Sequence, residues 1–212
     1  MERCVNYQAG NLSTNTDDLL ELPFAISGRV IRALYGGNLS YSHVKAVLEL
    51  CGRADPSASL SLPGMTVYRE YKRVIFCGGQ NRIADSFEPV YPENGKSVMI
   101  PGLNLKISCQ FTVCNDTINK SLTSFLFKYE DLCGRMTVRS RREGDTIRLS
   151  DWKHTKTLKK LFIERRVPVR NRALIPVIAD DNGVLAVYGI GIGDRAVPVS
   201  GDLAFQIIFE ET

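Results

Sequence analysis

Histidine and tryptophan are scarce in this chain of 212 residues, and its cysteines do not have the spacing of a metal site. The sequence contains two histidines, one tryptophan and six cysteines, with no Cys-x-x-Cys pair. Structural zinc sites usually take cysteines or histidines in closely spaced pairs, so we expect no metal site. Cys51, Cys77 and Cys109 lie in apolar patterns, and we predict that they are reduced residues of the core.

Long apolar runs are also missing. The longest, residues 184–192, falls well short of the roughly 18 residues that a membrane span needs. The first eight residues have no apolar stretch behind their charges and do not resemble a signal peptide. These features predict a cytoplasmic protein that does not contact a membrane. A hydrophobic content of 44% is sufficient for a core, and the length suits one large or two small domains.

Positive charge is concentrated in one segment. Residues 135–172 hold thirteen Lys or Arg and four acidic residues, whereas the whole chain has a net charge of only +4. Residues 1–134 are neutral overall and residues 173–212 are net acidic. A focused positive field attracts a polyanion, and nucleic acid is the commonest large polyanion in a cell.

The spacing of apolar residues changes from a helical to a strand period along the chain, which predicts an α+β fold. The first domain, residues 1–80, is predicted to be a small helical domain with helices at 23–35 and 41–52, followed by two strands. A polar Gly-Gly-Gln-Asn stretch at residues 78–81 is the expected linker. The second domain, residues 81–212, is predicted to be β-rich.

Alternation of apolar and polar residues is strictest at 103–113, which predicts a strand with one buried face. A hairpin is expected to join residues 173–179 to 184–190 through an Asp-Asp-Asn-Gly turn. Residues 203–209 alternate in a final strand. One basic helix, residues 155–166, is predicted to pack on the sheet.

This basic helix places Leu158, Leu161 and Phe162 on one side and its lysines on the other. Solvated lysines are common on such a face, so taken alone the pattern favours a merely soluble surface. The flanking arginines favour a nucleic-acid-binding surface over a merely soluble one, because a soluble face usually mixes charges of both signs. The candidate nucleic-acid-binding residues are Arg139, Arg141, Arg142, Lys153, Lys156, Lys159, Lys160, Arg166, Arg170 and Arg172, with Arg29, Arg32 and Arg69 in the first domain.

Several residues have simpler interpretations. Arg29 and Arg32 lie close enough to Glu21 for surface ion pairs, and Arg69 fits any exposed strand face. Trp152 could stack on a base, but a lone tryptophan near the start of a helix is more often a packing residue. Asp145 follows a glycine and is expected in a turn, and we predict no catalytic residue in this chain.

Short motifs follow one another in a specific order. Arg139-x-Arg141-x-x-Gly144-Asp145-x-Ile147 precedes Lys156-x-Leu-Lys159-Lys160-Leu161-Phe162 and Val167-Pro168, while Leu22-Pro23, Arg29-Val-Ile-Arg32 and Leu62-Pro63-Gly64 come earlier. Each motif is weak, but the ordered set resembles the middle and C-terminal domains of the tRNA(Ile)-lysidine synthase family.

The resemblance implies an ATP-dependent ligase that attaches lysine to the wobble cytidine of tRNA(Ile) with a CAU anticodon. In that family the reaction takes place in an N-terminal domain with a Ser-Gly-Gly-x-Asp-Ser loop, which is not found in this sequence. The chain would then be the tRNA-binding portion, inactive alone and without a bound cofactor, since ATP and Mg would occupy the catalytic domain. The implied partners are tRNA(Ile) and that catalytic domain, and a homodimer is left open.

Two alternatives belong to other classes. The two N-terminal helices could form the helix-turn-helix of a DNA-binding regulator, although residues 41–45 offer only one lysine and one histidine for base contacts. The basic segment could instead bind an acidic protein, as an interaction module.

Overall fold

The computed structural model describes residues 6–8, 11–78, 86–115 and 121–212. The chain divides into two compact units, residues 1–83 and 84–212. Both units combine antiparallel strands with helices, so the predicted α+β class is confirmed. Most of the predicted linker, residues 79–81, lies outside the described residues.

The first unit is a five-stranded antiparallel sheet packed against three helices. Its elements are β1 (Asn6–Gln8), β2 (Asn11–Asn15), α1 (Thr16–Glu21), α2 (Phe24–Tyr35), α3 (Tyr41–Gly52), β3 (Ser59–Leu62), β4 (Met65–Glu70) and β5 (Arg73–Gly78). The strand order is β1-β2-β5-β4-β3. The prediction of a helical domain is therefore incomplete, because β1 and β2 extend the sheet at residues that carry no clear apolar alternation.

Local sequence signals set the helix ends in this unit. The Ser40 hydroxyl accepts a hydrogen bond from the His43 amide at 3.2 Å and begins α3, as expected of an N-cap serine. Gly36 ends α2 with a φ of 76°, a left-handed conformation that glycine adopts without steric cost. The helices bury an apolar face on the sheet, with Ile31, Val44 and Val67 fully buried.

Over its described residues, the second unit contains two four-stranded antiparallel sheets, a two-stranded pair and one α-helix, with short 3-10 turns between them. Its elements are β6 (Ser97–Met99), β7 (Leu105–Val113), β8 (Ser124–Lys128), β9 (Thr137–Arg139), β10 (Thr146–Ile147), β11 (Lys156–Thr157), α4 (Leu158–Glu164), β12 (Val177–Asp180), β13 (Gly183–Val187), β14 (Gly191–Ile192) and β15 (Leu203–Glu211). One sheet has the order β14-β13-β12-β9 and the other β6-β7-β15-β8, while β10 pairs with β11.

Two apolar cores lie on opposite faces of the β14-β13-β12-β9 sheet. On one face, Ile178 and Leu185 pack with residues of the other four-stranded sheet, such as Ile207. On the other face, Val177 and Val187 pack with the apolar side of α4. Burial on both faces explains why residues 184–187 read as a continuous apolar run.

The helix α4 is shorter than the predicted 155–166. Lys156 and Thr157 are extended and pair with β10, and the Thr157 hydroxyl accepts a hydrogen bond from the Lys160 amide at 3.3 Å. The chain becomes helical only after this N-cap. Lys156 therefore lies on a strand that precedes the helix, and Arg166 lies after its end.

Candidate nucleic-acid interface

The helix α4 directs lysines outward because its apolar residues are anchored in the core. Leu158, Leu161 and Phe162 are fully buried, which leaves Lys159 and Lys160 exposed on the opposite side. The Leu158 amide donates to the Asp145 carbonyl at 2.9 Å, so the turn that carries Arg142 adjoins the start of the helix. Fold and sequence thus bring cations from three neighbouring segments to one region.

Some cations of this region are exposed and form no ion pair with the residues that the structure describes. We call them the basic surface: Arg142, Lys153, Lys159, Lys160, Arg165 and Arg166. Arg165 was not among the sequence candidates, because in a helix over residues 155–166 it would fall nearer the apolar side. The helix ends at Glu164, and Arg165 is exposed. Five of the thirteen candidates therefore belong to this surface. Exposed, uncompensated cations are the groups that can meet phosphates without a desolvation cost.

Arg139 does not have the position that the sequence analysis expected. Its side chain is only 8% exposed and forms a two-pronged ion pair with Asp145, with Nη1–Oδ2 at 2.7 Å and Nη2–Oδ1 at 2.9 Å. The strand β9 pairs with β12 inside the unit, which turns Arg139 away from solvent. Asp145 lies in a turn as predicted, but it also holds this arginine. This buried pair gives Arg139 a structural role, and its contact with nucleic acid stays a prediction.

Lys156 is half-buried and already has two partners. Its ammonium lies 2.6 Å from a Glu164 carboxylate oxygen and 4.1 Å from the centroid of the Trp152 ring. Trp152 itself packs against the core beneath α4, so the packing interpretation of this residue is confirmed. Both contacts reduce the charge that Lys156 offers to an outside anion.

The remaining arginines of the segment are half-buried. Arg172 donates from Nε to the Val167 carbonyl at 2.9 Å, which supports the turn after α4. Arg141 buries its Nε, and no described residue accepts a hydrogen bond from it. Arg170 is also half-buried. None of these three arginines belongs to the basic surface, so their part in binding stays a prediction.

In the first unit, Arg29 is exposed, while Arg32 and Arg69 support the backbone. Arg32 donates to the Leu39 carbonyl at 3.1 Å and to the Gly28 carbonyl at 3.3 Å. Arg69 donates to the Tyr71 carbonyl at 3.2 Å. These bonds give both side chains a structural role. Arg29 forms no ion pair within the described part of the chain, so it remains a candidate contact.

A second buried ion pair holds the β12–β13 hairpin. The fully buried carboxylate of Asp180 accepts hydrogen bonds from Arg195 at 2.5 and 2.9 Å and from the Cys133 amide at 2.9 Å. Burial raises the pKa of Asp180, but the bonds from Arg195 and from the Cys133 and Asn182 amides outweigh it and leave the pKa below its ordinary value. Arg195 is thereby a structural cation.

A polar groove of about 510 Å³ runs beside this pair, lined by Thr146, Thr155 and Asn182 among others. Its charged groups are compensated, since Arg148 pairs with Asp194 and Arg195 with Asp180. Among the described residues, no three histidine, cysteine or acidic side chains are grouped as metal ligands. The described helices include none long and apolar enough to cross a membrane.

Comparison with known domain families separates the chain into two matched regions. Residues 15–75 match the "TilS substrate binding domain" and residues 136–202 match the "TilS substrate C-terminal domain". These two matches place the chain in the class of proteins that contain TilS substrate domains. They do not support the DNA-binding regulator or the protein-interaction module.

Two curated relatives are tRNA(Ile)-lysidine synthases. The chain is 29% identical over 180 residues to a tRNA(Ile)-lysidine synthase of Bacillus anthracis, a match that covers 82% of this chain and 37% of the relative. It is 28% identical over 206 residues to that of Geobacillus kaustophilus, which covers 90% of this chain and 42% of the relative. The chain belongs to the tRNA(Ile)-lysidine synthase family, through its middle and C-terminal domains.

A solved structure supports the fold of the second unit. The chain matches a crystal structure of a TilS C-terminal domain with a TM-score of 0.54 and 21% identity, covering 59% of this chain and 98% of that one. The chain spans about two fifths of the length of the two relatives described above.

Proposed function

We propose that this chain is the tRNA-binding portion of a tRNA(Ile)-lysidine synthase. It holds tRNA(Ile) while an ATP-binding catalytic domain attaches lysine to the wobble cytidine. ATP and Mg belong to that catalytic domain in this proposal, and the chain itself carries out no chemical step. Contacts remote from the reacting base can supply the binding energy that orients it.

The basic surface is the single observation that carries the proposal. Its exposed cations lie on and around α4, inside the region that matches a substrate domain. Two lysines elsewhere in the unit have carboxylate partners: Lys96 pairs with Glu93 and Lys106 with Glu210. A surface kept free of such partners suits a polyanionic ligand, because its charges are available to phosphates.

Filter binding with a tRNA(Ile) transcript tests this function. If about six cations meet phosphates, the logarithm of the association constant should fall against the logarithm of salt concentration with a slope of about −4 to −5. The double variant Lys159→Glu, Lys160→Glu should reduce this slope by about two and weaken binding at least about tenfold. Duplex DNA of equal length should bind more weakly than tRNA.

The matched control is Lys106→Glu on strand β7, outside the basic surface. It makes the same charge reversal as Lys160→Glu, but at a lysine that already pairs with Glu210. We expect the control to leave tRNA affinity within about twofold, while Lys160→Glu alone lowers it clearly. Equal losses in the two variants would mean that the protein responds only to its net charge, and the proposal would fail.

A further inference from the structure

A cleft of about 580 Å³ in the second unit is lined by Tyr91, Phe111, Tyr129 and Phe205. We call it the aromatic cleft. None of its lining residues belongs to the basic surface. Its volume lies in the range of small-molecule pockets, and a single nucleobase occupies less space than it provides.

Strand pairing brings the rings of Phe111 and Phe205 together in this cleft. Phe111 faces the same side of β7 as the buried Ile107 and Cys109, yet it is 40% exposed, near the end of the strand. In the neighbouring strand β15, Phe205 lies directly opposite Phe111, with ring centroids 5.3 Å apart. The core therefore opens to solvent where β7 ends.

Tyr129 extends this open end. It begins the short 3-10 helix Tyr129–Asp131 and meets the Phe111 ring edge-on at 5.0 Å. Its side chain is 49% exposed. An aromatic ring held by a neighbouring ring, with its own surface still in water, is a preorganised platform for stacking.

Arg135 and Tyr91 form a second group that lines the same cleft. The guanidinium carbon of Arg135 lies 3.6 Å from the centroid of the Tyr91 ring, a close cation–π contact. Arg135 is also the first cation of the basic segment 135–172. Arginine planes and aromatic rings are the two kinds of surface on which proteins stack unpaired RNA bases.

Carboxylates at the cleft disfavour a phosphate inside it. Glu93 and Glu130 both line it, and Arg135 is the one cation among its lining residues. Outside the lining, Lys96 pairs with Glu93 and Lys128 lies 3.9 Å from a Glu130 oxygen. A hydrogen bond from Lys96 lowers the pKa of Glu93, and the charges of Lys96 and Arg135 act in the same direction, so this carboxylate stays ionised. A carboxylate accepts hydrogen bonds from the amino group of cytosine but repels the RNA backbone. The electrostatics thus suit the base of a nucleotide and leave its phosphate outside.

We propose that the aromatic cleft binds one unpaired nucleobase of the RNA, stacked on its rings, with preference for a base that carries an amino group. The proposal rests on the tRNA-binding function and adds a site for a single-stranded part of the ligand. An apolar protein segment is the competing occupant. The flat Arg135–Tyr91 pair and the exposed ring of Tyr129 favour a base, since both offer planar surfaces for stacking. The carboxylates also accept hydrogen bonds, which an apolar side chain cannot donate.

Two substitutions of Tyr129 separate stacking from simple apolar contact. Tyr129→Leu keeps an apolar side chain but removes the ring, whereas Tyr129→Phe keeps the ring. With a tRNA(Ile) transcript and with single-stranded octacytidylate, Tyr129→Leu should weaken binding between about 5-fold and 150-fold, the range for one base stacked on an aromatic side chain. Tyr129→Phe should stay within about twofold. Thermal unfolding of both variants checks that the unit stays folded.

A third probe tests the carboxylates. Octauridylate, whose bases lack an amino group, should bind about fivefold more weakly than octacytidylate, and Glu93→Gln should reduce that difference. Equal affinity for the two oligonucleotides would overturn the base preference.

The outcomes distinguish this inference from the proposed function. Suppose that Tyr129→Leu leaves RNA affinity unchanged while the double variant Lys159→Glu, Lys160→Glu loses affinity. That result would overturn the aromatic cleft as a base site and leave an apolar protein segment as its occupant. The tRNA-binding function would still stand. Failure of the unmodified chain to bind tRNA would overturn the proposed function itself.

Discussion

Arg139 and Asp145 form an ion pair with two parallel hydrogen bonds, at 2.7 and 2.9 Å, and both side chains are largely shielded from solvent. A buried guanidinium that loses its carboxylate, or the reverse, is left uncompensated. We therefore expect Arg139→Gln to lower the free energy of unfolding by roughly 3 kcal/mol, measured by urea denaturation. The affinity of the folded variant for tRNA should stay unchanged.

Arg142→Gln is the matched control, because Arg142 is exposed in the adjoining turn. It should change stability by less than about 0.5 kcal/mol and should weaken tRNA binding instead. If Arg139→Gln were as stable as the unmodified chain but bound tRNA poorly, Arg139 would be an RNA contact after all.

Arg166 has a left-handed backbone, with a φ of 53°, at the end of α4. The Val167 amide donates to the Phe162 carbonyl at 2.8 Å, the closing bond of a helix-end motif in which glycine is the usual residue. Arg166→Gly should raise the free energy of unfolding by about 0.5–1 kcal/mol, because the left-handed conformation costs a non-glycine residue about that much. The same change should weaken tRNA binding, since it removes a cation of the basic surface.

Arg165→Gly provides the comparison for Arg166. It removes the same charge from a residue with an ordinary φ of −79°, so it should weaken binding and also lower stability by about 0.5–1 kcal/mol. Opposite stability changes in the two variants, measured by thermal unfolding, would show that the backbone at position 166 favours glycine, and weaker tRNA binding by Arg166→Gly would show what the arginine contributes instead. A loss of stability in both would contradict this interpretation.

The Asp180–Arg195 pair predicts a stability loss in acid. The pKa of Asp180 is lowered in the folded protein, so its ion pair contributes fully above the ordinary carboxyl pKa of 3.8. That contribution is lost as the pH falls below 3.8 and through the folded pKa, because the unfolded chain takes up the proton first. Urea unfolding between pH 7 and pH 2.5 should show this loss, and Asp180→Asn should show less of it.

Two further variants sharpen that measurement. At pH 7, Asp180→Asn should cost roughly 3 kcal/mol, as expected when one partner of a buried pair is removed. Arg195→Gln removes a bond that lowers the Asp180 pKa, so the folded pKa lies nearer or above the ordinary value and the stability loss in acid should be smaller than in the unmodified chain. An identical pH profile for all three proteins would exclude this pair as the acid-sensitive contact.

Much of the fold could be predicted from local patterns. The helix over residues 41–52, the strand pattern of β7 and the hairpin turn before Gly183 each depend on neighbours in sequence, and the structure confirms them. Strands β1 and β2 were not predicted, because their own residues do not alternate clearly. The partner that brings β2 into the sheet, β5, lies about sixty residues away, and β1 joins through β2. A sheet edge of this kind depends on the partner strand more than on its own sequence.

The candidate site was predicted in outline only. The charge of residues 135–172 follows from composition alone, and so does the preference for a polyanion. The spacing of Arg139 and Arg141 placed both on one side of a strand, but it could not show that β9 would pair inside the unit and that Arg139 would meet Asp145. Lys156 was assigned to the helix because its spacing from Lys159 and Lys160 fits one helical face. In the structure the Thr157 hydroxyl caps the helix, so the first helical turn begins after Lys156.

The amino-acid sequence by itself determined the α+β class, the concentration of cations in one segment and the order of motifs that marks the family. Those properties are sums over residues or depend on near neighbours. Only the tertiary structure decided which cations remain exposed on the basic surface and which are neutralised inside the fold. Burial and ion pairing join residues through space, and the free energy of a charge depends on the solvent and carboxylates around it.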